Sequence, residues 1–449
     1  MARTRLGGLL CGLTMGLIVL YPVLNLAQET ARPLNLQETI NAALQANLGL
    51  KQAEAEVKAA QDTKSARTTD FLPTLSARYS YLRRNEPGTQ AIGVPGAGIA
   101  DVLVTPQDEY NFVTSFSQPI FTGFSLINQY QIASLGLDVA EFKQQLTRQN
   151  VILDAKNAYF QILKTQKLLD VAQITVKQIT AQKDVAENMY QVGMSPLNDL
   201  LQSQVQLANA KQALITAQNN LAIAKSQFNT LLIRPVNAPV SIVDILNYKP
   251  FPHDIDYCLA QAEQNRVEIQ VADLEVQISQ KDLKLAQRSY YPTVNLEGNY
   301  YRRGTDWDVN GGEGVADSRY WDIRATATWN FWEWGRTTYG VREKLQRVSQ
   351  AKYNQEQVKV NIDQEVKQAY LRTIESEQNI VTIEKAIAQA KENLRITEER
   401  YKEQVSTITD VLVAQTLFTQ TMTNYYNALY DYKIAKAVLY RAIGQEVLE

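Results

Sequence analysis

The chain has 449 residues, with 45 Lys and Arg against 47 Asp and Glu, and a single histidine, His253. So even a balance advertises no basic face for nucleic acid. Of the two cysteines, Cys11 lies in an N-terminal apolar run and Cys258 far from it. Once that run is removed, one chain cannot build a disulfide, a Cys/His metal site or a Cys–His nucleophile pair. Metal sites made only of carboxylates, and carboxylate-pair hydrolases, survive this test.

Arg3 and Arg5 precede an uncharged run from Leu6 to Leu26. The pattern reads as a secretory signal cleaved after Ala27, with an uncleaved anchor as the alternative. Beyond residue 27 no apolar stretch approaches the ~20 residues of a membrane helix. Any insertion into a bilayer must therefore use strands.

A helix is expected from about 36 to 67, then the strand "TLSARYSYL", a Gly- and Pro-rich loop at 85–108, and the strand "NFVTSFSQPIF". A long helix follows over 124–190, about 100 Å at ~1.5 Å per residue. Gly193 and Pro196 then end one helix and start the next, which returns over 197–232. Residues 233–255 form a compact Pro-rich connector, expected to pack outside the helices near mid-length. The series then recurs: a helix at 256–288, strands "TVNLEGNYY" and "YWDIRATATWNFW", a long helix at 336–402 and a returning helix at 408–443.

The recurrence extends to individual residues. "YQVGMSPLNDLLQSQ" at 190–204 answers "YKEQVSTITDVLVAQ" at 401–415, so Tyr190 matches Tyr401 and Asp199 matches Asp410, an offset of 211. That offset holds from Phe121–Leu231 to Trp332–Ala442. Internal repetition on this scale means a duplicated structural unit. We assign residues 28–232 to a first repeat of helix, two strands and helical hairpin, 233–255 to the connector and 256–449 to a second repeat. The helices carry heptad seams, such as Ile380, Ile383, Ile387, Ala390, Leu394, Thr397 and Tyr401. Past each turn the seam alternates large and small residues, which lets neighbouring helices interlock.

The strand from residue 320 places Trp321, Ile323, Ala325, Ala327 and Trp329 on one face and Asp322, Arg324, Thr326 and Thr328 on the other. All five tryptophans fall between 307 and 334, and aromatic residues gathered at strand ends are what a membrane interface selects. Trp321, Trp329, Trp332 and Trp334 are therefore candidate interface anchors. Four strands cannot close a barrel, and open edges are not tolerated in lipid, so several chains must combine.

The signal sequence, the internal repeat, the helix-to-strand entries "FLPTLSARYSY" and "YYPTVNLEGNY", the exits "QPIFTGF" and "WNFWEWG", and the Tyr…Asp-Val-Leu turn at 401–412 together resemble the TolC family of outer-membrane efflux proteins. The resemblance covers essentially the whole mature chain. It implies a mainly α fold with a membrane β-barrel: a homotrimer whose hairpins form a trimeric α-barrel tunnel and whose strands, four per chain, form a twelve-stranded barrel. It implies a passive exit duct in the outer membrane of a Gram-negative bacterium, extending into the periplasm. An inner-membrane transporter and a periplasmic adaptor would serve as partners in a tripartite efflux or type I secretion system, with no cofactor and no enzymatic activity.

The resemblance also assigns the turns. Asp410 occupies the family's acidic tip position, whereas a second acidic place is Val413 and a basic residue of the closing network is Ser406. Tyr401, Ser406 and Asp410 are expected at the pore, and Tyr190, Gly193 and Asp199 at a turn offered to the adaptor. The bland reading of both aspartates is helix-start stabilisation by the helix dipole. Two competing readings stay open: a secreted trimeric coiled-coil scaffold or adhesin, and a carboxylate-pair enzyme or calcium loop built from Asp306, Asp308 and Glu313.

Overall fold

The computed structural model describes residues 33–446, save 95, 97, 246 and 247, so the expected signal peptide at 1–27 lies outside the described residues. Eight α-helices and six strands are described: α1 (Leu36–Ala46), α2 (Leu48–Thr69), β1 (Thr74–Arg83), β2 (Gly88–Val94), β3 (Gly98–Thr105), β4 (Asp108–Thr122), α3 (Ser125–Gln191), α4 (Leu197–Leu231), α5 (Ile255–Asn265), α6 (Val267–Ala286), β5 (Thr293–Gly304), β6 (Arg319–Thr328), α7 (Arg336–Lys402) and α8 (Ile408–Ala442). A short 3-10 turn, Gln287–Tyr290, leads from α6 towards β5.

The long helices stand as the heptads require. Both α3 and α7 have 67 residues, and both α4 and α8 have 35. Each long helix packs along its length against its returning helix and against the shorter helix stack, α1–α2 or α5–α6. Ile380, Ala390, Leu394 and Tyr401 of the α7 seam are buried, as are Val411, Ala414, Thr421, Ala428, Tyr432, Leu439 and Ala442 of α8. Alanine between larger residues allows this close approach, and a fully packed seam side chain contributes on the order of 1.5–3 kcal/mol.

Two expected helices are each broken in two. Asn47 leaves the helical region, with φ −58° and ψ 123°, and its side chain accepts a hydrogen bond from Leu50 N to cap α2. Arg266 makes the matching break between α5 and α6. Its guanidinium is 3% exposed, donates to Ala442 O at the end of α8 (3.1 Å), and pairs with Glu268 (2.9 Å) and Glu365 (2.8 Å). Arg441 reaches the same two carboxylates from α8. This cluster ties α6, α7 and α8 together at mid-length.

The connector packs beside α1, α3 and α8. Leu34 and Ile242 form a parallel bridge, the Tyr159 hydroxyl of α3 donates to Val243 O, and the Tyr432 hydroxyl of α8 donates to Lys249 O at 2.7 Å. Cys258 is buried nearby as a packing residue.

The four long strands form one antiparallel sheet in the order β1-β4-β5-β6. The loop at 85–108 contributes more than a loop: β2 and β3 pair there as a separate hairpin. The strand with the tryptophans ends at Thr328, so Trp329 and Trp332 lie just past it.

Arg266→Ala is expected to destabilise the fold by about 2–3 kcal/mol, because it leaves the α8 carbonyl without its donor and removes the buried member of a partly exposed charge cluster. The more exposed Arg441→Ala should cost less. Denaturant unfolding of both variants checks the order.

Candidate functional site

The two faces of the sheet follow from its register. Tyr79, Phe112, Arg302 and Arg319 lie opposite one another across the four strands, so residues two, four and six positions away share their face. That face collects Leu75, Ala77, Phe116, Leu296, Gly298, Tyr300, Trp321, Ile323, Ala325 and Ala327. Trp321 is 70% exposed on it, and Leu75, Tyr79 and Ile323 are exposed as well. The opposite face is a polar network. Asn299 bonds Asp322 (3.0 Å), Asn295 bonds both Ser117 (3.1 Å) and Glu297 (2.8 Å), and Arg303 bonds the Tyr320 hydroxyl (2.6 Å).

An exposed apolar face opposite a hydrogen-bonded polar one suits lipid on one side and water on the other. Its rims are aromatic. Tyr79, Tyr81 and Tyr110 cluster at the end away from the helices, with ring centroids 4.7 Å apart for Tyr81 and Tyr110. At the helical end stand Trp329, Phe331, Trp332 and Trp334, all exposed. Among the described residues no helix is long and apolar enough to cross a membrane.

The loop between β5 and β6 does not gather its carboxylates. Asp308 accepts from Asn310 N (3.3 Å), and Trp307 O accepts from the Tyr79 hydroxyl (2.6 Å). Among the described residues no group of three His, Cys, Asp or Glu side chains is placed to hold a metal ion.

At the far end of the helices the two turns share a backbone. Gly193 N bonds Tyr190 O (3.0 Å) and Met194 N bonds Met189 O (2.8 Å). In the second turn Gln404 N bonds Tyr401 O (3.0 Å) and Val405 N bonds Arg400 O (2.8 Å). This double bond pattern caps the end of a helix and needs a left-handed residue. Gly193 supplies it at φ 78°, and Gln404 takes it at φ 59° despite its side chain.

The helices leaving the turns start differently. Thr407 accepts a hydrogen bond from Asp410 N, and the Asp410 carboxylate accepts from Thr407 N (2.9 Å) and Thr407 Oγ1 (2.8 Å), a reciprocal capping box. These bonds, with a smaller contribution from Arg400, hold the Asp410 carboxyl below its ordinary pKa, while the group itself stays exposed. In the first turn Pro196 replaces the capping residue, and partial burial pushes the Asp199 carboxyl up.

The turns touch each other through Tyr401. Its ring is 7% exposed, packed with Ile408 and Val411 against Val185 and Met189 of α3. Its hydroxyl faces Ser195 and Asp199 of the first turn, and burial first, then the Asp199 charge, raises its pKa. Ser406 donates to Thr397 O at 3.3 Å. Tyr190, by contrast, is 41% exposed. The structure thus brings Tyr401, Asp199 and Ser195 together and leaves Tyr190, Gly193 and Asp410 on the outer surface of a single chain. Ser195 and Thr407 are missing from the candidates read from the sequence. Thr407 is legible there as Thr-x-x-Asp, the signature of a capping box.

Higher up, the hairpins are joined by polar pairs: Gln415 to Gln178 (2.9 Å), Thr175 to Thr419 (3.1 Å) and Gln182 to Glu398 (3.1 Å). These pairs hold α3 against α7 and α8, with the heptad seams on either side.

Comparison with known proteins agrees with this architecture. TolC of Escherichia coli K12, an outer membrane protein, is 22% identical over 419 residues, covering 91% of this chain and 82% of its own length. The solved structure of CusC superposes with a TM-score of 0.78 at 18% identity, covering 92% of both chains. The Campylobacter jejuni CmeC outer membrane channel superposes with a TM-score of 0.77 at 17% identity, covering 91% of this chain and 85% of that one. The profile of the outer membrane efflux protein family matches residues 39–232 and 258–445. With most of its length matched, and with a lipid-suited sheet joined to long helical hairpins, the chain belongs to the outer membrane efflux protein family.

Proposed function

We propose that this outer-membrane efflux channel works as a homotrimeric exit duct, a twelve-stranded barrel continued by a periplasmic tunnel of helical hairpins. The observation that carries the reading is the sheet's two free edges. Among the described residues β1 and β6 each pair on one side only, and their remaining backbone groups cannot be left bare in lipid. Copies of the same chain satisfy them, the β6 of one meeting the β1 of the next. Three copies, as the family resemblance implies, supply twelve strands.

The helices support the same closure. Eighteen residues of α3 are buried but only nine of the equally long α7. Exposed apolar side chains line α7, including Tyr353, Val360, Leu371 and Val381, and also α4, including Leu201, Val205 and Ile215. Within one chain α3 packs on α8, whereas α7 has no such neighbour. Under the proposed twofold repeat, the missing neighbour is α4 of the next copy. The sequence carries the matching polar pair: Gln389 and Gln204 stand 211 positions from Gln178 and Gln415. The two stretches matched by the family profile, either side of residues 233–257, also support a repeat of 28–232 and 256–449 about the connector.

A heterologous interface of this kind closes into a ring. Energy for transport comes from an inner-membrane transporter, linked to this duct by a periplasmic adaptor. In the assembled ring Ser406 and Asp410 line the narrow end, while Tyr401, expected there from the sequence, is buried behind them against the first turn. Tyr190, Gly193 and Asp199 form the turn that faces the adaptor. Three Asp410 carboxylates around one opening attract cations and repel anions. The duct itself catalyses no reaction, a reading supported by its kinship with channel proteins.

Two experiments test this. Ala386 and Ala208 stand 211 positions from Thr175 and Thr419, the pair in contact within one chain. A double cysteine variant, Ala386→Cys with Ala208→Cys, should cross-link between chains into trimers under mild oxidation. Cross-links confined to single chains would contradict the ring. Asp410→Ala should lower cation selectivity and block by multivalent cations; unchanged selectivity would remove Asp410 from the pore. Because the capping bonds lower the Asp410 pKa, selectivity should be lost at a lower pH in the wild type than in a variant without them. Thr407→Val, which removes one of the two donors, should shift its loss to higher pH.

A further inference from the structure

On the apolar face of the sheet, Gly298 of β5 stands opposite Phe116 of β4 and Ile323 of β6. A residue without a side chain between these two leaves a groove of about 380 Å³, walled by Leu75, Phe116, Tyr300, Trp321 and Ile323. A methyl group at position 298 would meet Asp322 O and Ile323 Cγ1 only at 3.9 Å, so the space above the glycine is open.

Two residues further along the strands, about 7 Å away, the same face carries two arginines side by side. Arg302 of β5 is paired in register with Arg319 of β6, at the end of the sheet that holds the Tyr79, Tyr81 and Tyr110 cluster. Directly opposite residues hold their Cβ atoms ~5 Å apart, and like charges so placed destabilise a sheet. Little within the chain offsets this. The Nε of Arg302 is buried without a hydrogen-bond partner, and Arg319 donates to the neutral Asn310 Oδ1 at 2.5 Å. Carboxylates of the neighbouring strands are turned to other partners: Asp108 to Arg83 (3.4 Å), Glu109 to Arg84 (2.7 Å) and Asp322 to Asn299 on the opposite face (3.0 Å). Among the described residues neither Arg302 nor Arg319 forms an ion pair, the loop carboxylates Asp306, Asp308, Glu313 and Asp317 included. Nor does the proposed ring bring one, since β1, Thr74–Arg83, contains no acid.

A guanidinium fork matches the oxygens of a phosphoryl group, and such a bond strengthens where water is scarce. A lipid answers both features of this face at once. Its acidic headgroup neutralises the arginine pair, and its chain fills the groove one step deeper in the membrane. A free anion would answer only the first, and a neutral lipid only the second.

We propose that the Arg302–Arg319 pair and the groove over Gly298 form one binding site for an anionic lipid, with its phosphoryl headgroup on the arginines and an acyl chain against Trp321. The site rests on the lipid-facing reading of the sheet, and on neither the trimer nor the pore.

Trp321, in the groove, is the reporter. The detergent-purified full chain is reconstituted into phosphatidylcholine vesicles containing a minor fraction of phosphatidic acid. One lipid or the other carries brominated chains, which quench tryptophan on contact, and Trp321→Phe gives the background from the other four tryptophans. Brominated phosphatidic acid is expected to quench Trp321 well beyond its share of the bilayer. Arg319 is exposed, so Arg319→Gln leaves the fold in place; it should lower this preference about fivefold, the effect of one basic residue at a membrane surface. Gly298→Val, which puts a strand-favouring side chain into the groove, should lower it as well. Arg336→Gln, at the helical end of the sheet, should leave it unchanged. An equal loss in Arg336→Gln would reveal general attraction to any basic residue and overturn the proposal, as would wild-type quenching in proportion to lipid content. Release of the lipid by inorganic phosphate at constant ionic strength would overturn it in favour of a soluble anion. Protein that does not insert into the vesicles at all would overturn the lipid-facing reading and the site with it.

Discussion

A strand in lipid must pair its backbone on both sides, since no water is there to take an unmade hydrogen bond. That constraint bears hardest on β1 and β6, and much of the rest of the molecule is arranged around it. The four strands are too few to curl into a barrel by themselves, yet one face of their sheet suits lipid, with Trp321, Ile323 and Leu75 exposed. A lipid-suited face on a sheet with two unpaired edges is the observation that supports the proposed assembly with copies of the same chain. The proposed trimer follows from that need more than from any single contact.

The helical part answers the same demand differently. In water an open helix edge is tolerated, so closure there rests on side chains: small residues in the seams, apolar stripes on α4 and α7, and polar pairs such as Gln178 with Gln415. The interface between the halves of one chain and the proposed interface between chains would then be variants of one design. They differ most at the turns. Tyr401 is buried against Ser195 and Asp199, while its counterpart Tyr190 stays open. Likewise Asp410 is tied into a capping box that Asp199 lacks. Two turns with the same backbone thus present different chemistry at the same end of the molecule.

Most of the long elements were legible in the sequence. The absence of Gly and Pro from Val341 to Ile443, together with the heptad seams, fixed α7 and α8 closely, and the alternation around Trp321 fixed the face of β6. The break at Arg266 was not legible, because arginine carries no helix-stop signal, whereas Asn47 is a strong capping residue whose signal was lost within a continuous helical pattern. Arg266 leaves the helix to reach Ala442 O and Glu365, partners 176 and 99 positions away. The β2–β3 hairpin was hidden by its glycines, which read as loop while its strands pair only with each other. At the turns the repeat located both aspartates. It did not reveal that Tyr401 would meet Ser195, a contact set by how two distant hairpins dock, nor that Gln404 would accept a left-handed backbone.

Ion conductance of the detergent-purified protein in a planar lipid bilayer addresses the central claim most directly. If copies of the chain close their sheets into a pore lined by Asp410 carboxylates at its narrow end, the bilayer should show discrete, cation-selective steps. Protein that fails to insert, or that inserts and gives graded, unselective leakage with no unit step, would contradict a closed barrel and the ring of helices below it.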